Sequence, residues 1–355
     1  MGRSHLHFLC LVLALHAVSG WSTACATSSV EALLHQGNYD AAVDAAMKTP
    51  SHPLNRLIKH VRQQQLAERP MWRSLIHYRK GISGKWSSQV DAKQFFLSRR
   101  GKHDPERELE ATVAAMFAKR PRKPLRLTAY CRFVARRQWL SEQLGGLGSL
   151  LPRQNCEEFK RYQKFLGTEV LTVIFPAAQP NSPSSAFGHT LLRVDRLNQN
   201  PETRMLNMSI NFAAEVPENV STPGYIIGGL AGGFEGKFRI LPYYMKLREY
   251  RQIDSRDIWE YQLDLEPEQI DMILRHAYEM LIAHYDYYFF SENCSYHLLS
   301  LLDVAFPERP LIDQFPLWTI PIDTIRVLDS RGLVKKVRYT PSMTRIIKQR
   351  QRVLD

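Results

Sequence analysis

The spacing of apolar residues changes once along this chain, and that change constrains the fold more than any other feature. Before Cys156, apolar residues recur at three- and four-residue intervals, as in EALLHQGNYDAAVDAAM (31–47) and ERELEATVAAMFAKR (106–120), which is typical of amphipathic helices. After Cys156 the pattern becomes that of strands, with the apolar run EVLTVIF (169–175) and the alternating DIWEYQLDL (257–265). We therefore predict an α+β protein with a helical N-terminal region.

Two segments of the strand-rich part are predicted to pair as a hairpin. HTLLRVD begins at His189 and MLNMSINF begins at Met205, and the turn-forming residues LNQNPET join them. If Asp195 pairs with Met205, His189 lies opposite Asn211. The two-residue period of a strand places three polar residues on one face of the second segment: Asn207, Ser209 and Asn211. Since buried polar groups need partners, this face is predicted to line a polar cleft.

The remaining segments give shorter predictions. KGISGKWSS (80–88) is predicted to be a loop. The glycine-rich YIIGGLAGGFEG, which begins at Tyr225, is either a mobile apolar lip over a cleft or a tight sheet-edge connection that needs positive φ. A helix is predicted over 267–284, because Pro267 precedes an apolar stripe, and Cys294 is predicted to open the last helix.

The N-terminus has the pattern of an export signal over residues 1–26. Arg3 precedes an apolar stretch that is shorter than a membrane-spanning helix, and Ala24-Cys25-Ala26 has the form of a cleavage site. Cys25 could instead be a lipidation site. No later segment is apolar enough to cross a bilayer, so the exported chain is expected to be soluble or peripheral.

The exported chain is strongly basic. Removing residues 1–26 removes one Arg and no acidic residue, which lowers the formal net charge from +12 to +11. The positive residues cluster in KRPRKPLR (119–126), RFVARR (132–137) and RIIKQRQR (345–352). These runs favour peripheral contact with anionic lipid headgroups, or they form a solvated basic surface. A nucleic-acid partner is not expected, because stacking aromatic residues are not interleaved with them.

Cysteine counting isolates one thiol. Cys10 and Cys25 fall in the predicted signal, which leaves Cys131, Cys156 and Cys294 in an oxidising compartment. Cys131 and Cys156 flank a helical stretch and lie closest in sequence, so we predict that they form a disulfide. Cys294 then remains a free thiol.

The position of Cys294 suits nucleophilic chemistry. Asn293 is a good N-cap, so Cys294 lies on the first turn of a helix, where the backbone N–H groups and the helix dipole favour thiolate. The same N–H groups can stabilise an oxyanion. The alternative is a structural role, since free cysteines are usually buried as small apolar residues.

A cysteine nucleophile needs a base and a residue that orients it. His189 is favoured as the base, because a loop delivers it to the start of a strand, whereas His297 would lie beside the sulfur with nothing to orient its ring. Asn211 is predicted to orient His189, with Ser209 as the alternative. No Cys/His cluster has the spacing of a zinc site, so neither a metal nor a cofactor is expected.

Several motifs together resemble one family. They are PSSAFGHTLLRVD, MLNMSINFAAE, GGLAGGFEGKFRILPYYMKLREY, DIWEYQL and YDYYFFSENCSYHLL, with LIHY, FFLSRRG, DPERELEAT and the cysteines of AYCRF and QNCEEF, over roughly residues 70–330. This set is similar to the Lnb N-terminal periplasmic domain family. The resemblance implies a circularly permuted papain-like fold, related to NlpC-type peptidases and lecithin retinol acyltransferase, with His189 as base and Cys294 as nucleophile.

The resemblance also implies a chemistry. A named member is a lipoprotein N-acyltransferase, so Cys294 is expected to take an acyl chain from a phospholipid and pass it to an amine. That member carries membrane-embedded segments after this domain, whereas this sequence ends at Asp355 with a basic segment, so lipid access is expected through peripheral attachment.

We therefore predict a periplasmic cysteine acyltransferase or thiol hydrolase, either free or membrane-associated, acting on phospholipid or lipoprotein acyl groups. Two alternatives are an NlpC-type amidase or peptidase that cleaves an envelope peptide, and a non-catalytic envelope binding module. The predicted division of the chain is a signal (1–26), a mostly helical region (27–160), a permuted papain-like catalytic domain (161–320) and a basic C-terminal tail (321–355).

Overall fold

The computed structural model describes residues 30–81, 83–177, 188–250, 255–315 and 317–354. The predicted export signal, with Cys10 and Cys25, lies outside the described residues. Part of the motif PSSAFGH also lies outside them, up to Phe187. The described chain divides into two compact units that are discontinuous in sequence. The first takes residues up to 68 together with 96–130 and 137–154, and the second takes 69–95, 131–136 and 155 onwards.

Helices dominate the described chain before β3, and strands and helices are interspersed after it. The helices are α1 (residues 30–36), α2 (Tyr39–Met47), α3 (Pro53–Gln63), α4 (Pro70–Ile76), α5 (Pro105–Ala115), α6 (Ala129–Arg132), α7 (Val134–Leu144), α8 (Glu157–Leu166), α9 (Pro201–Arg204), α10 (Thr222–Ala231), α11 (Tyr243–Arg248), α12 (Pro267–Met280), α13 (Cys294–Leu302), α14 (Pro321–Ser330) and α15 (Met343–Leu354). The strands are β1 (Tyr78–Lys80), β2 (Trp86–Ser88), β3 (Val170–Pro176), β4 (Leu191–Asp195), β5 (Met208–Glu215), β6 (Phe234–Pro242), β7 (Ile258–Leu263), β8 (Tyr285–Tyr287) and β9 (Val334–Thr340).

The first unit is built from helices, as the apolar spacing predicts. Helix α2 packs against α3 and α5. Asn38 caps α2 and Asp104 caps α5, each through its side chain. The fully buried carboxylate of Glu108 accepts hydrogen bonds from the backbone N–H groups of Leu97 and Ser98, so this charge is held by a turn of the same unit.

The segment 80–88 is not the simple loop that its glycines and serines predict. Strands β1 and β2 form an antiparallel hairpin in which Tyr78 pairs with Ser88. Ser88 is buried, and its hydroxyl donates to the carbonyl oxygen of Ile76. The prediction was wrong because the strands are only three residues long, too short to show a period of two.

The second unit is organised around a seven-stranded sheet. Among the described strands the order is β8-β6-β5-β4-β3-β7-β9, and every neighbouring pair is antiparallel. The predicted α+β class is therefore confirmed. Helix α13 packs on the face that carries Phe212, whose ring lies 4.3 Å from that of His297. The opposite face carries Ile174 and Leu191, which pack with three further buried residues, Tyr243, Tyr250 and Ile258.

The predicted hairpin forms, but its register differs by two residues. Val194 pairs with Met208 and Leu192 pairs with Ile210, so the partner of Asp195 is not Met205. The reason is that residues 201–204 form helix α9 at the end of the predicted turn, so the second strand begins later than predicted. Because the shift is an even number of residues, each side chain keeps its predicted face.

The predicted disulfide is confirmed. Cys131 and Cys156 are bridged, and the bridge attaches the start of α8 to the short segment 131–136 of the same unit. That segment is also held by Glu279 of α12, whose carboxylate accepts from the N–H groups of Ala135 and Arg136. Arg136 and Glu279 are both fully buried, so each charge is neutralised inside the unit.

The segment 321–355, predicted only as a basic C-terminal tail, forms regular structure over its described residues. Strand β9 completes one edge of the sheet by pairing with β7, and α14 and α15 flank it. Cys294 therefore does not open the last helix, as was predicted, because two helices follow α13. None of the helices in the described part of the chain is both long and apolar enough to span a bilayer.

Candidate active site

Cys294 is the first residue of helix α13, and Asn293 caps this helix. The Asn293 side-chain oxygen accepts from the N–H groups of Ser295 (3.0 Å) and Tyr296 (3.2 Å). Its amide nitrogen donates to the carbonyl oxygens of Phe289 (3.0 Å) and Thr319 (2.6 Å). Asn293 thus fixes both the helix start and the loop before it. Cys294 is a free thiol, and only 4% of its surface is exposed.

His189 reaches the thiol from the chain just before strand β4. Gly188 has φ +98°, and a Cβ atom there would lie 3.0 Å from the ring of Phe175, so only glycine lets the chain turn this closely. The Nε2 atom of His189 lies 2.8 Å from the side-chain oxygen of Asn211, and therefore donates to it. The other ring nitrogen is left for the hydrogen bond that joins His189 to the Cys294 side chain.

The electrostatics of this pair favour a thiolate beside an imidazolium. Burial opposes ionisation of Cys294, but the His189 ring and hydrogen bonds from the Thr190 N–H and Ser295 outweigh it and lower the thiol pKa to about 7. For His189 burial favours the neutral ring, yet Cys294 and Asn211 together raise its pKa. Both shifts have the same consequence, which is transfer of the thiol proton to the ring.

The three predicted polar residues on β5 do not share one cleft. Asn211 lies at the site, whereas the Ser209 hydroxyl donates to the carbonyl oxygen of Leu241. The Asn207 amide donates to Asp195 and Gln199 instead. Ser209 is therefore not placed to orient His189. The even register shift kept Asn211 on the correct face, and the prediction failed for the other two because each satisfies its own local network.

His297 lies away from the chemistry, in an aromatic environment. Its ring packs 4.3 Å from Phe212 and 4.1 Å from Tyr285, and neither ring nitrogen has a hydrogen-bond partner among the described residues. Burial lowers its pKa to about 3. A ring that stays neutral and faces the core cannot serve as the base.

The structure adds residues that the sequence did not single out. The Tyr287 hydroxyl is hydrogen-bonded to the Cys294 side chain and accepts from the Cys294 N–H, the first-turn donor that Asn293 does not cap. The Tyr250 ring lies near that of His189, with ring centroids 6.2 Å apart. The Thr190 hydroxyl is 3.2 Å from that of Ser295. The aromatic run YDYYFF (285–290) before the cysteine was visible in the sequence, but the sequence did not show that the Tyr287 side chain points towards Cys294.

The glycine-rich segment is a helix beside this site. It forms α10, which ends at Gly232 with φ +75°. A Cβ atom on Gly229 would lie 2.2 Å from the Phe289 ring, so the glycine lets the helix lie directly on that ring. The outer face of α10 is apolar and exposed, with Ile227 65% and Leu230 52% accessible. Of the two predicted alternatives, the tight connection with positive φ occurs only at the helix end, at Gly232, and the mobile apolar lip stays a prediction.

Comparisons with known proteins find a family model that covers the residues of this site. Residues 158–331 match the family model described as the Lnb N-terminal periplasmic domain, so this predicted resemblance is confirmed. Residues 64–143, which include LIHY and DPERELEAT, match a separate model described as a domain of unknown function (DUF7843). Searches of curated proteins and of solved structures find no significant match. Among the described residues no group of three or more metal-binding side chains is suitably arranged to hold an ion.

Proposed function

We propose, from the premise that residues 158–331 belong to the Lnb N-terminal periplasmic domain family, that this exported protein transfers or hydrolyses acyl groups through a thioester at Cys294. The observation that carries the proposal is the chain of contacts from the Cys294 sulfur to His189 and on to Asn211, at the first turn of a helix. Nucleophile, base and orienting residue in contact are the signature of cysteine-based acyl transfer. A permuted papain-like fold would place them in this way.

In the first half of the reaction, the Cys294 thiolate attacks the carbonyl carbon of an ester or amide. A carbon–sulfur bond forms, and the carbonyl electron pair moves to oxygen. The Tyr287 hydroxyl lies beside the sulfur and can donate to this oxyanion, while the Cys294 N–H donates to the Tyr287 oxygen and holds it in place. When the oxyanion collapses, the alcohol or amine leaves with the proton that His189 carries, and a thioester remains on Cys294.

In the second half, an amine or a water molecule attacks the thioester. His189, now neutral, takes a proton from the attacking group, and the thiolate leaves. The hydrogen bond from Nε2 to Asn211 keeps the other nitrogen aimed at the reacting atoms in both halves. Attack by an amine completes acyl transfer and attack by water completes hydrolysis.

The surroundings of the thiol favour a lipid acyl group over a peptide. Helix α10 presents Ile226, Ile227 and Leu230 to solvent, and its Gly229 packs on Phe289 of the loop between β8 and Cys294. Phe290 of that loop is 45% exposed, and neighbouring Trp318 is 67% exposed. Exposed apolar groups in this number beside a reactive thiol suit an acyl chain that must leave a membrane or a lipoprotein.

The proposal is tested by trapping the thioester. The purified exported chain is incubated with a fluorescent phospholipid, and the attached acyl group is located by mass spectrometry after proteolysis. We expect an acyl group on Cys294 that neutral hydroxylamine removes, as it does from a thioester, and no hydroxylamine-sensitive label in Cys294→Ser. His189→Gln should reduce the label strongly, whereas His284→Gln, which alters a half-buried histidine before β8, should not.

Parallel substrates separate the alternatives. An envelope amidase would react with a peptidoglycan fragment and leave the phospholipid unchanged, with the same dependence on Cys294. A non-catalytic binding module would form no adduct with either substrate. The second result would contradict thiol-based chemistry altogether.

A further inference from the structure

A cavity of about 280 Å³ lies at the other end of the strands from the candidate active site. It is lined by residues of β3, β4, β7 and β9 and by the chain that joins β4 to β5. His189 precedes β4 and Asp195 ends it, so the two sites are separated by about six residues of extended chain, or roughly 20 Å. The cavity is therefore distinct from the thiol site.

The floor of the cavity is a saturated ion-pair network. The Arg193 guanidinium donates to both oxygens of Asp195 (2.7 and 3.0 Å) and both oxygens of Glu260 (3.0 and 3.1 Å). Asp195 also accepts from Thr172 and Asn207, at 2.7 Å each. Only 2% of the Arg193 side chain is exposed. The floor is therefore rigid. Its one guanidinium neutralises the charge of one carboxylate, so the floor keeps one net negative charge.

The rim of the cavity carries four further cations. Arg196 and Arg204 come from the connection between β4 and β5, and Lys336 and Arg338 come from β9. No carboxylate of the described chain lies within 4.0 Å of any of these four charged groups. Four rim cations against one unbalanced carboxylate leave three net positive charges around a concave, partly enclosed space. Such a space concentrates a ligand with clustered negative charge.

An apolar cavity of about 410 Å³ adjoins this one. Leu197 lines both cavities, and the second is formed mainly by α8 and the first half of α12, including Phe159, Leu166, Ile270 and Leu274. A cationic cavity that shares a wall with an apolar one matches a ligand with a charged head and an apolar tail.

We propose that the cationic cavity binds a phosphate-bearing ligand, with the rim arginines and Lys336 contacting the phosphate oxygens. Arginine and lysine are the residues that proteins use to hold phosphate, through charge-assisted hydrogen bonds. The adjoining apolar cavity accepts an alkyl chain when the phosphate belongs to a lipid. This site lies outside the proposed thiol chemistry and does not depend on it.

The test measures binding to the whole exported chain by isothermal titration calorimetry. The probes are inorganic pyrophosphate, and dodecyl phosphate kept below its micelle concentration. The variant Lys336→Gln/Arg338→Gln removes two rim cations from an exposed edge strand. Lys335→Gln is the matched control, because Lys335 is on the same strand, is not among the residues that line the cavity and pairs with Asp264 at 2.8 Å.

We expect the double variant to weaken binding by roughly tenfold or more, and Lys335→Gln to leave it unchanged. Tighter binding of dodecyl phosphate than of pyrophosphate identifies a lipid phosphate, and equal binding identifies a free phosphate compound. The proposal is overturned if neither probe binds, or if the control variant weakens binding as much as the double variant. Circular dichroism of both variants establishes that each is folded.

Discussion

The ionisation of Cys294 depends on His189, and this dependence can be measured directly. In the folded protein, the thiol pKa is lowered from 9.0 to about 7 even though burial acts to raise it. Two pKa units correspond to about 3 kcal/mol of preference for the charged form. His189→Gln keeps a polar side chain of similar size but cannot carry a charge, so the largest of the factors that lower the pKa is removed.

We expect the thiol pKa of His189→Gln to rise to its ordinary value or above it, since burial then acts with less opposition. At pH 7 about half of the thiol is ionised in the unaltered protein, and about one per cent or less should be ionised in the variant. The rate of alkylation by iodoacetamide, which requires thiolate, should therefore fall by about 50-fold at this pH.

The assay follows thiolate absorbance in the ultraviolet as the pH is raised, with Cys294→Ser as the blank. Alkylation rates measured over the same pH range give an independent midpoint. His284→Gln should titrate like the unaltered protein. A midpoint of the His189→Gln variant that stays near pH 7 would refute the reasoning, because the helix start and the cap alone would then account for the ionised thiol.

Three further predictions follow from other contacts. Replacing Cys131 and Cys156 by Ser opens a loop of 25 residues, which should lower the free energy of unfolding by about 3.5 kcal/mol. Urea denaturation with and without reductant checks this value. The control variant Cys294→Ser should show no such loss. Because the folded pKa of His297 is about 3, acid protonates the unfolded chain first, and stability is lost as the pH falls from about 6.5 towards 3. When the pH falls from 7.5 to 5, the free energy of unfolding of His297→Leu should therefore decrease by about 2 kcal/mol less than that of the unaltered protein. Urea denaturation at both pH values measures this difference. Tyr287→Phe should lower acyl turnover roughly 100-fold, while iodoacetamide still alkylates Cys294. An equal decrease in turnover and in alkylation would contradict an oxyanion role for Tyr287.

The sequence was sufficient for the elements whose local signals are strong. Four local signals each indicate one element for a physical reason, and the structure has an element at each. They are the apolar run of β3, the alternating residues of β7, the proline that starts α12 and the asparagine that caps α13. The pairing of Cys131 with Cys156 followed from counting. These features depend on residues that are near in sequence, which is why they could be predicted.

The features that were missed depend on contacts between distant segments. The hairpin register changed because α9 takes up residues between the strands, and no local signal fixes where a short helix ends. The sequence left the glycines of this segment to either a mobile lip or a tight connection, whereas in α10 they bring the helix against Phe289 and Phe234. The direction of Tyr287 and the contribution of β9 to the sheet likewise follow from tertiary packing.

The segment 131–136 has a practical consequence for anyone who wishes to produce the candidate catalytic part alone. A fragment cut at the family boundaries, residues 158–331, would lose both cysteines of the bridge and leave the Glu279 carboxylate buried without its N–H donors. It would also lack β9, leaving one side of β7 open to pairing with another molecule. Such a fragment should aggregate in the bacterial host. The stretch from residue 69 to the end of α15 contains the described part of the second unit, including every strand of the sheet and both bridged cysteines.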